Sequence, residues 1–356
     1  MILALFVLVM ASVFWNILPP RKDLYNELWG PASLLVDGKS PYDTSSLNPE
    51  LPAAWLPMSI GFFVPIGWMS EESAPLFWLV LNLVEIGVIV FVAQRKYNPA
   101  HLSILTAILA FTFPPVIHHL LLGQFAITTT LCVALAIPLI VRGNHWAGAF
   151  LLALGLSKPH LMTITMLGLS VWYFQNGGAR SMLRFWGRVF TAAFVLCIPL
   201  FIGYPNWIPD AFTSMTSNPP WTYPTLLETF LGYLGNFGFL PWGLIVVGTI
   251  FAALNLWKRY EPSIAAYWSL GLALLITPYL GSWDFVVLLP LIVFTFMQSN
   301  GFRKAALFFL FALSWGVMAY QQVQESFHNY FFWWVPVWTL GVIALITWRN
   351  TSAPKT

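Results

Sequence analysis

Asp23, His118, His119, Gln124, Lys158, His160 and Asp284 are the side chains of this 356-residue sequence whose types and surroundings could do chemistry. Asp23 lies in the stretch PPRKDLYNELWGPASLLVDGKSPYD, Pro19 to Asp43, together with Arg21, Lys22, Glu27, Asp37, Lys39 and Asp43. The whole chain is only 8% charged, so seven charges in this one stretch are a strong local concentration. Charge in a lipid-embedded protein is costly unless it meets water or has a task. A general base needs a carboxylate that stays ionised and can reach a hydroxyl, and the neighbouring Arg21 and Lys22 favour the charged form. The alternative is that Asp23 only caps a helix N-terminus.

His118, His119 and Gln124 sit in FPPVIHHLLLGQF, where two prolines and Gly123 break an apolar run. Broken helices in membranes line cavities or pack inside protein. Paired histidines there could donate hydrogen bonds to a phosphate, or be satisfied by water and lipid headgroups. Lys158 and His160 form SKPH between two apolar runs. A buried lysine needs an anion or a carboxylate, so a lipid phosphate is one partner and a structural ion pair with Asp284 or Asp23 the other. Asp284, in TPYLGSWDF, follows a break at Pro278 and Gly281; it could orient Lys158, bind a sugar hydroxyl, or act as an N-cap. Cys132 and Cys197 lie in apolar runs and read as small hydrophobes. No metal-type Cys/His spacing occurs, so no metal site and no resident cofactor are expected, with a divalent ion left open.

The elements that must position these groups follow from composition. The chain is 58% hydrophobic and 17% aromatic, with mean hydropathy +0.74. Soluble domains carry about 25% charged residues, so this is an all-α polytopic membrane protein. A spanning helix needs about 20 apolar residues. Runs of this kind cover 1–18, 74–94, 101–121, 125–141, 145–157, 160–175, 187–203, 238–256, 262–280, 284–298, 304–320 and 331–348, giving about twelve transmembrane helices in one integral membrane domain, 1–356. The first run lacks a basic leader and a cleavage site and reads as a retained span. The stretch 55–69 is apolar but broken by prolines, and reads as interfacial or re-entrant. With that choice, twelve of the sixteen Lys and Arg fall on one face. The positive-inside rule then makes both termini cytoplasmic in a cell membrane. Segments 19–73 and 204–237 face outward, and most acidic residues lie with them; Glu85 lies within a span. Within the first outer segment, Leu24, Leu28, Ala32 and Leu35 give an amphipathic helix over Asp23–Asp37, which the turn GKSP ends. Tryptophans near the span ends form an ordinary aromatic belt. No P-loop or Rossmann glycine pattern occurs, which argues against chemistry driven by cytosolic ATP, and no nucleic-acid partner is expected.

Asp23 with Trp29 and GKSPY (Gly38–Tyr42), then LLLGQF (Leu120–Phe125), SKP (Ser157–Pro159) and TPYLGSWDF (Thr277–Phe285) occur in an order that resembles glycosyltransferase family 87. Members of that family are polyprenyl-phosphate-mannose-dependent membrane mannosyltransferases with a GT-C fold. The resemblance implies a GT-C-like bundle whose outward first loop carries the amphipathic helix. It implies transfer of a hexose, mannose in the family, from a polyprenyl-phosphate-sugar donor to a lipid or glycan acceptor by inverting single displacement at the outer face, among membrane lipids. Asp23 would be the base, and Lys158, His160, His119, Gln124 and Asp284 would bind the donor. The family often has Tyr-Asp where this chain has Trp283–Asp284, and the spacing from Asp23 to Gly38 is about a residue longer than its commonest form, so Glu27 is the alternative base. The rival readings are a lipid or solute transporter or flippase, which would place its polar groups at the bilayer midplane in inverted repeats, and a membrane scaffold without an active site.

Overall fold

A computed structural model describes residues 22–47, 57–95, 104–216, 223–323 and 329–348. The proposed first span 1–18, with Arg21, Glu50, Lys96, Glu325, Arg349 and Lys355, lies outside the described residues.

All regular structure among the described residues is helical. Helix α1 runs through three segments, Lys22–Leu24, Tyr25–Trp29 and Gly30–Val36. It is followed by α2 (Pro57–Phe62), α3 (Ser73–Gln94), α4 (Ile104–Phe111), α5 (Pro114–Leu122), α6 (Ala126–Val141), α7 (His145–Gly155), α8 (Pro159–Gly203) and α9 (Trp207–Thr216). Then come α10 (Leu226–Leu234), α11 (Phe239–Arg259), α12 (Pro262–Ile276), α13 (Leu289–Gln298), α14 (Phe302–Val323) and α15 (Trp334–Trp348).

Among the described residues, five helical stretches are long and apolar enough to cross a bilayer: Ser73–Gln94, Pro159–Gly203, Leu226–Arg259, Phe302–Gln321 and Tyr330–Thr347. The pair α4 and α5, bent by 57°, would make a sixth if it is one span. Helices α6, α7 and α12, and the stretch Ser282–Gln298, are apolar but have only 10–17 residues. At about 1.5 Å per residue they fall short of a core about 30 Å thick. The apolar runs that suggested twelve spans include turn residues: α4 ends at Phe111 inside the run 101–121, α7 at Gly155 inside 145–157 and α12 at Ile276 inside 262–280. The stretch 57–69 forms only α2 and a 3₁₀ turn, Val64–Trp68, each too short to cross. The runs 160–175 and 187–203 belong to a single stretch, α8, bent at Gly177 and Gly178, the latter with φ +66°. Residues 179–186 are helical as well, because arginine, methionine and leucine are good helix formers. Large apolar side chains stand exposed along the helices; Leu244, Val247 and Phe251 on α11 are each at least 67% exposed. That surface suits lipid and not water.

The described chain parts into two compact units, 1–87 with 118–159 and 173–221, and 88–117 with 160–172 and 222–356. The first has a core of Leu35, Tyr42, Ile60, Leu200 and Trp207, beside an α6–α7 hairpin that turns at Gly143 (φ +85°). In the second, α11 packs on α12 around Ala253, Leu272 and Ala273. There the indole of Trp257 donates to Ser269 Oγ at 2.9 Å and lies against Gly168, where a Cβ would come within 1.9 Å of it.

Helix α1 positions the charged stretch. Its four expected apolar positions, Leu24, Leu28, Ala32 and Leu35, are at most 3% exposed. Its middle turn, Tyr25–Trp29, is a π-turn, which the hydrophobic period did not reveal. The cause is Gly30–Pro31. Proline has no N–H for the carbonyl four residues back and its ring collides with that carbonyl, so the turn before it widens. The Gly30 N–H then bonds to Tyr25 O, five residues back. A Cβ on Gly30 would lie 2.1 Å from that oxygen and 2.3 Å from Leu47 Cδ1. The helix ends as expected at GKSP: Gly38 takes φ +71°, and the Lys39 N–H returns to Leu34 O at 2.8 Å.

Candidate active site

The α1 helix is fixed on one side by Tyr25 Oη, which donates to Glu71 O at 2.9 Å, and by Trp29 Nε1, which donates to Met69 O at 3.0 Å. Asp23 and Glu27, one helical turn apart, reach instead toward Gln124. Gln124 Nε2 donates to Asp23 Oδ2 at 2.5 Å and lies 3.5 Å from Glu27 Oε1. On the other side of the same amide, Lys158 Nζ donates to Gln124 Oε1 at 2.8 Å. Three segments far apart in sequence thus meet in a carboxylate–amide–ammonium chain. Asp23 and Glu27 are half-buried, while Gln124 and Lys158 are buried. All four residues belong to the first unit.

Gln124 and Lys158 each sit at a helix break. Gly123 ends α5 with φ +76°, and the N–H groups of Gly123 and Gln124 both return to His119 O. Helix α7 ends at Gly155, and Lys158 is the N-cap of α8, with Pro159 at its first position. A proline there gives up an N–H that has no intrahelical partner anyway. The Gln124 amide thus bridges the two kinds of charge, accepting from the Lys158 ammonium and donating to the Asp23 carboxylate.

His119 is fully buried, with Nε2 3.0 Å from Asn82 Oδ1. His118 is half-buried on the same helix. Both remain in the first unit with Gln124.

His160 and Asp284 belong to the second unit. Asp284 is buried, and its Oδ2 accepts from the Gly281 N–H at 2.9 Å and lies 3.7 Å from His160 Nε2. Asp284 is therefore not itself the N-cap; it is the third residue of the turn Ser282–Leu288 and reaches back to the residue before it. The His160 ring stands edge-on to Tyr279 at 5.4 Å, and Tyr279 meets Tyr223 at 4.6 Å. Burial raises the pKa of the Tyr223 phenol, with Glu228 adding to the effect.

The motif GKSPY has a partner that the sequence did not disclose. Ser40 Oγ donates to Asp210 Oδ2 at 2.5 Å, and Tyr42 stacks on Trp207 with centroids 6.5 Å apart. The GKSPY turn is thereby tied to the helix Trp207–Thr216. The Asp210 carboxylate, first among several causes, also raises the pKa of Tyr204. Nothing in spacing alone pointed to Asp210. Asn82, in contrast, had a usable signal, being a lone amide in an apolar run four residues after Trp78.

Several long apolar helices, together with the carboxylate–amide–ammonium chain inside the first unit, define a multi-pass membrane protein with a buried polar site. The profile of glycosyltransferase family 87 matches residues 56–278, more than half of the chain, and the chain belongs to that family. It is accordingly a membrane glycosyltransferase. The match contains LLLGQF and SKP; it begins after Asp23 and GKSPY and ends at Pro278, before Asp284. No curated protein matches the chain.

Proposed function

We propose that the chain moves a hexose, mannose by family resemblance, from a polyprenyl-phosphate carrier to a lipid or glycan acceptor at the outer membrane face. The observation that carries this reading is the placement of Asp23 and Lys158 on opposite ends of the Gln124 amide. In a single displacement the acceptor oxygen attacks the anomeric carbon while the bond from that carbon to the phosphate oxygen breaks. Asp23 takes the acceptor proton, and the polyprenyl phosphate leaves with the bonding electrons, its charge met by Lys158. A phosphate leaving group needs little protonation, so a second carboxylic acid is not required, in contrast to glycoside hydrolysis. Gln124 holds base and ammonium in fixed relation, a preorganisation that spares reorganisation during the reaction.

Proteoliposomes carrying the purified chain and radiolabelled polyprenyl-phosphate-mannose, supplied with a membrane extract as acceptor source, test the reading. Label should leave the carrier and appear in a lipid or glycan product. If the donor crosses the bilayer intact with no bond broken, the chain is a flippase and the proposal fails. Sidedness is checked by cysteine labelling at Ser70 and Asn98, which should report opposite faces; labelling from one face alone would sink the outward assignment.

A further inference from the structure

A polar stripe on α3 is not used by the chemistry above. Trp78, Asn82 and Glu85 follow one another at helical spacing and are each at most 4% exposed, so they form a single inward stripe. Each meets the segment 119–128. Trp78 Nε1 donates to Gly123 O at 2.9 Å. Asn82 Nδ2 donates to Trp78 O at 2.9 Å, which turns its Oδ1 toward His119 Nε2 at 3.0 Å. An amide oxygen only accepts, so His119 carries its proton on Nε2 and donates. Glu85 accepts from Thr128 Oγ1 at 2.9 Å.

Polar groups inside a lipid-embedded helix are expensive unless they are satisfied. Leucine or phenylalanine at these positions would pack without that cost, so the stripe calls for a geometric reason. The three rungs converge on the place where α5 stops and α6 begins. That break leaves helix-end carbonyls without intrahelical donors, and the Trp78 indole supplies one to Gly123, the residue next to Gln124. We propose that Trp78, with Asn82 and His119 behind it, is a positioning residue that holds the Gly123–Gln124 break and so aims the Gln124 amide between Asp23 and Lys158. His119 thereby acts through the backbone of the break and not on the donor phosphate. The inference rests on the functional reading given above.

The test is Trp78→Phe in the full chain in lipid nanodiscs, which keeps an aromatic ring and deletes the N–H. Two readouts are taken, amide hydrogen exchange and the kinetics of mannose release from polyprenyl-phosphate-mannose with membrane extract as acceptor. Exchange in a peptide over 119–128 should speed up, with a peptide over 145–155 unchanged. Turnover should fall by about 10- to 100-fold, as expected for a displaced catalytic group, with KM for the donor within about twofold. Should Trp78→Phe not fold, Asn82→Leu removes the acceptor for His119 and carries the same expectations. Unchanged exchange over 119–128 overturns the proposal whatever the turnover, and so does faster exchange with wild-type turnover. Uniform loosening of both peptides makes Trp78 merely structural and also overturns it. A wild-type chain that transfers no sugar removes the functional reading instead, and the exchange result alone then decides the bracing role.

Discussion

Asp23→Asn lowers the rate of sugar transfer by about 100- to 10,000-fold, the range that general base catalysis supplies, while fold and donor binding persist. Asparagine has nearly the size of aspartate and keeps an oxygen to accept the Gln124 Nε2 hydrogen bond. What it loses is the capacity to take a proton. Initial rates with a labelled lipid-linked donor, compared with melting temperature in the same preparation, read the two effects apart. Glu27→Gln is the necessary companion, because Glu27 Oε1 faces the same amide at 3.5 Å. A dead Glu27→Gln with an active Asp23→Asn would move the base by one turn of α1. Two active variants would end the single-base mechanism.

Lys158→Ala raises KM for the polyprenyl-phosphate donor by about 10- to 100-fold, since a hydrogen bond to a charged group contributes about 1.5–3 kcal/mol. The ammonium is buried at the N-terminus of α8, a place where anions are already favoured by the helix dipole. Lys158→Met keeps most of the apolar stem and separates loss of charge from loss of packing. Both variants should bind free polyprenyl phosphate more weakly than wild type. If donor affinity is unchanged in both, Lys158 serves Gln124 structurally and the leaving group is held elsewhere.

The sequence by itself determined the class of the protein. With so few charges there is too little polar surface for a water-soluble monomer, and that follows from counting. It also determined where the helices break, because proline and glycine act locally: Gly38, Gly123 and Pro159 each end or begin a helix as their backbone preferences require. The apolar face of α1 was legible for the same reason, since Leu24, Leu28, Ala32 and Leu35 recur at the helical period. Only the tertiary structure decided which polar groups meet. Lys158 had three partners open to it, and the fold adds the Gln124 amide, an uncharged group that charge bookkeeping would not select. His119 and Gln124 looked equivalent, five residues apart on one break; burial gave His119 to Asn82, and Gln124 to Asp23. The π-turn that brings Asp23 and Glu27 to the same amide depends on Gly30 yielding to Tyr25 O and Leu47, and Leu47 lies seventeen residues further along the chain. Hydrogen bonds of this kind are short-ranged and directional, so their partners are fixed by packing, while composition and helix period are properties of the chain alone.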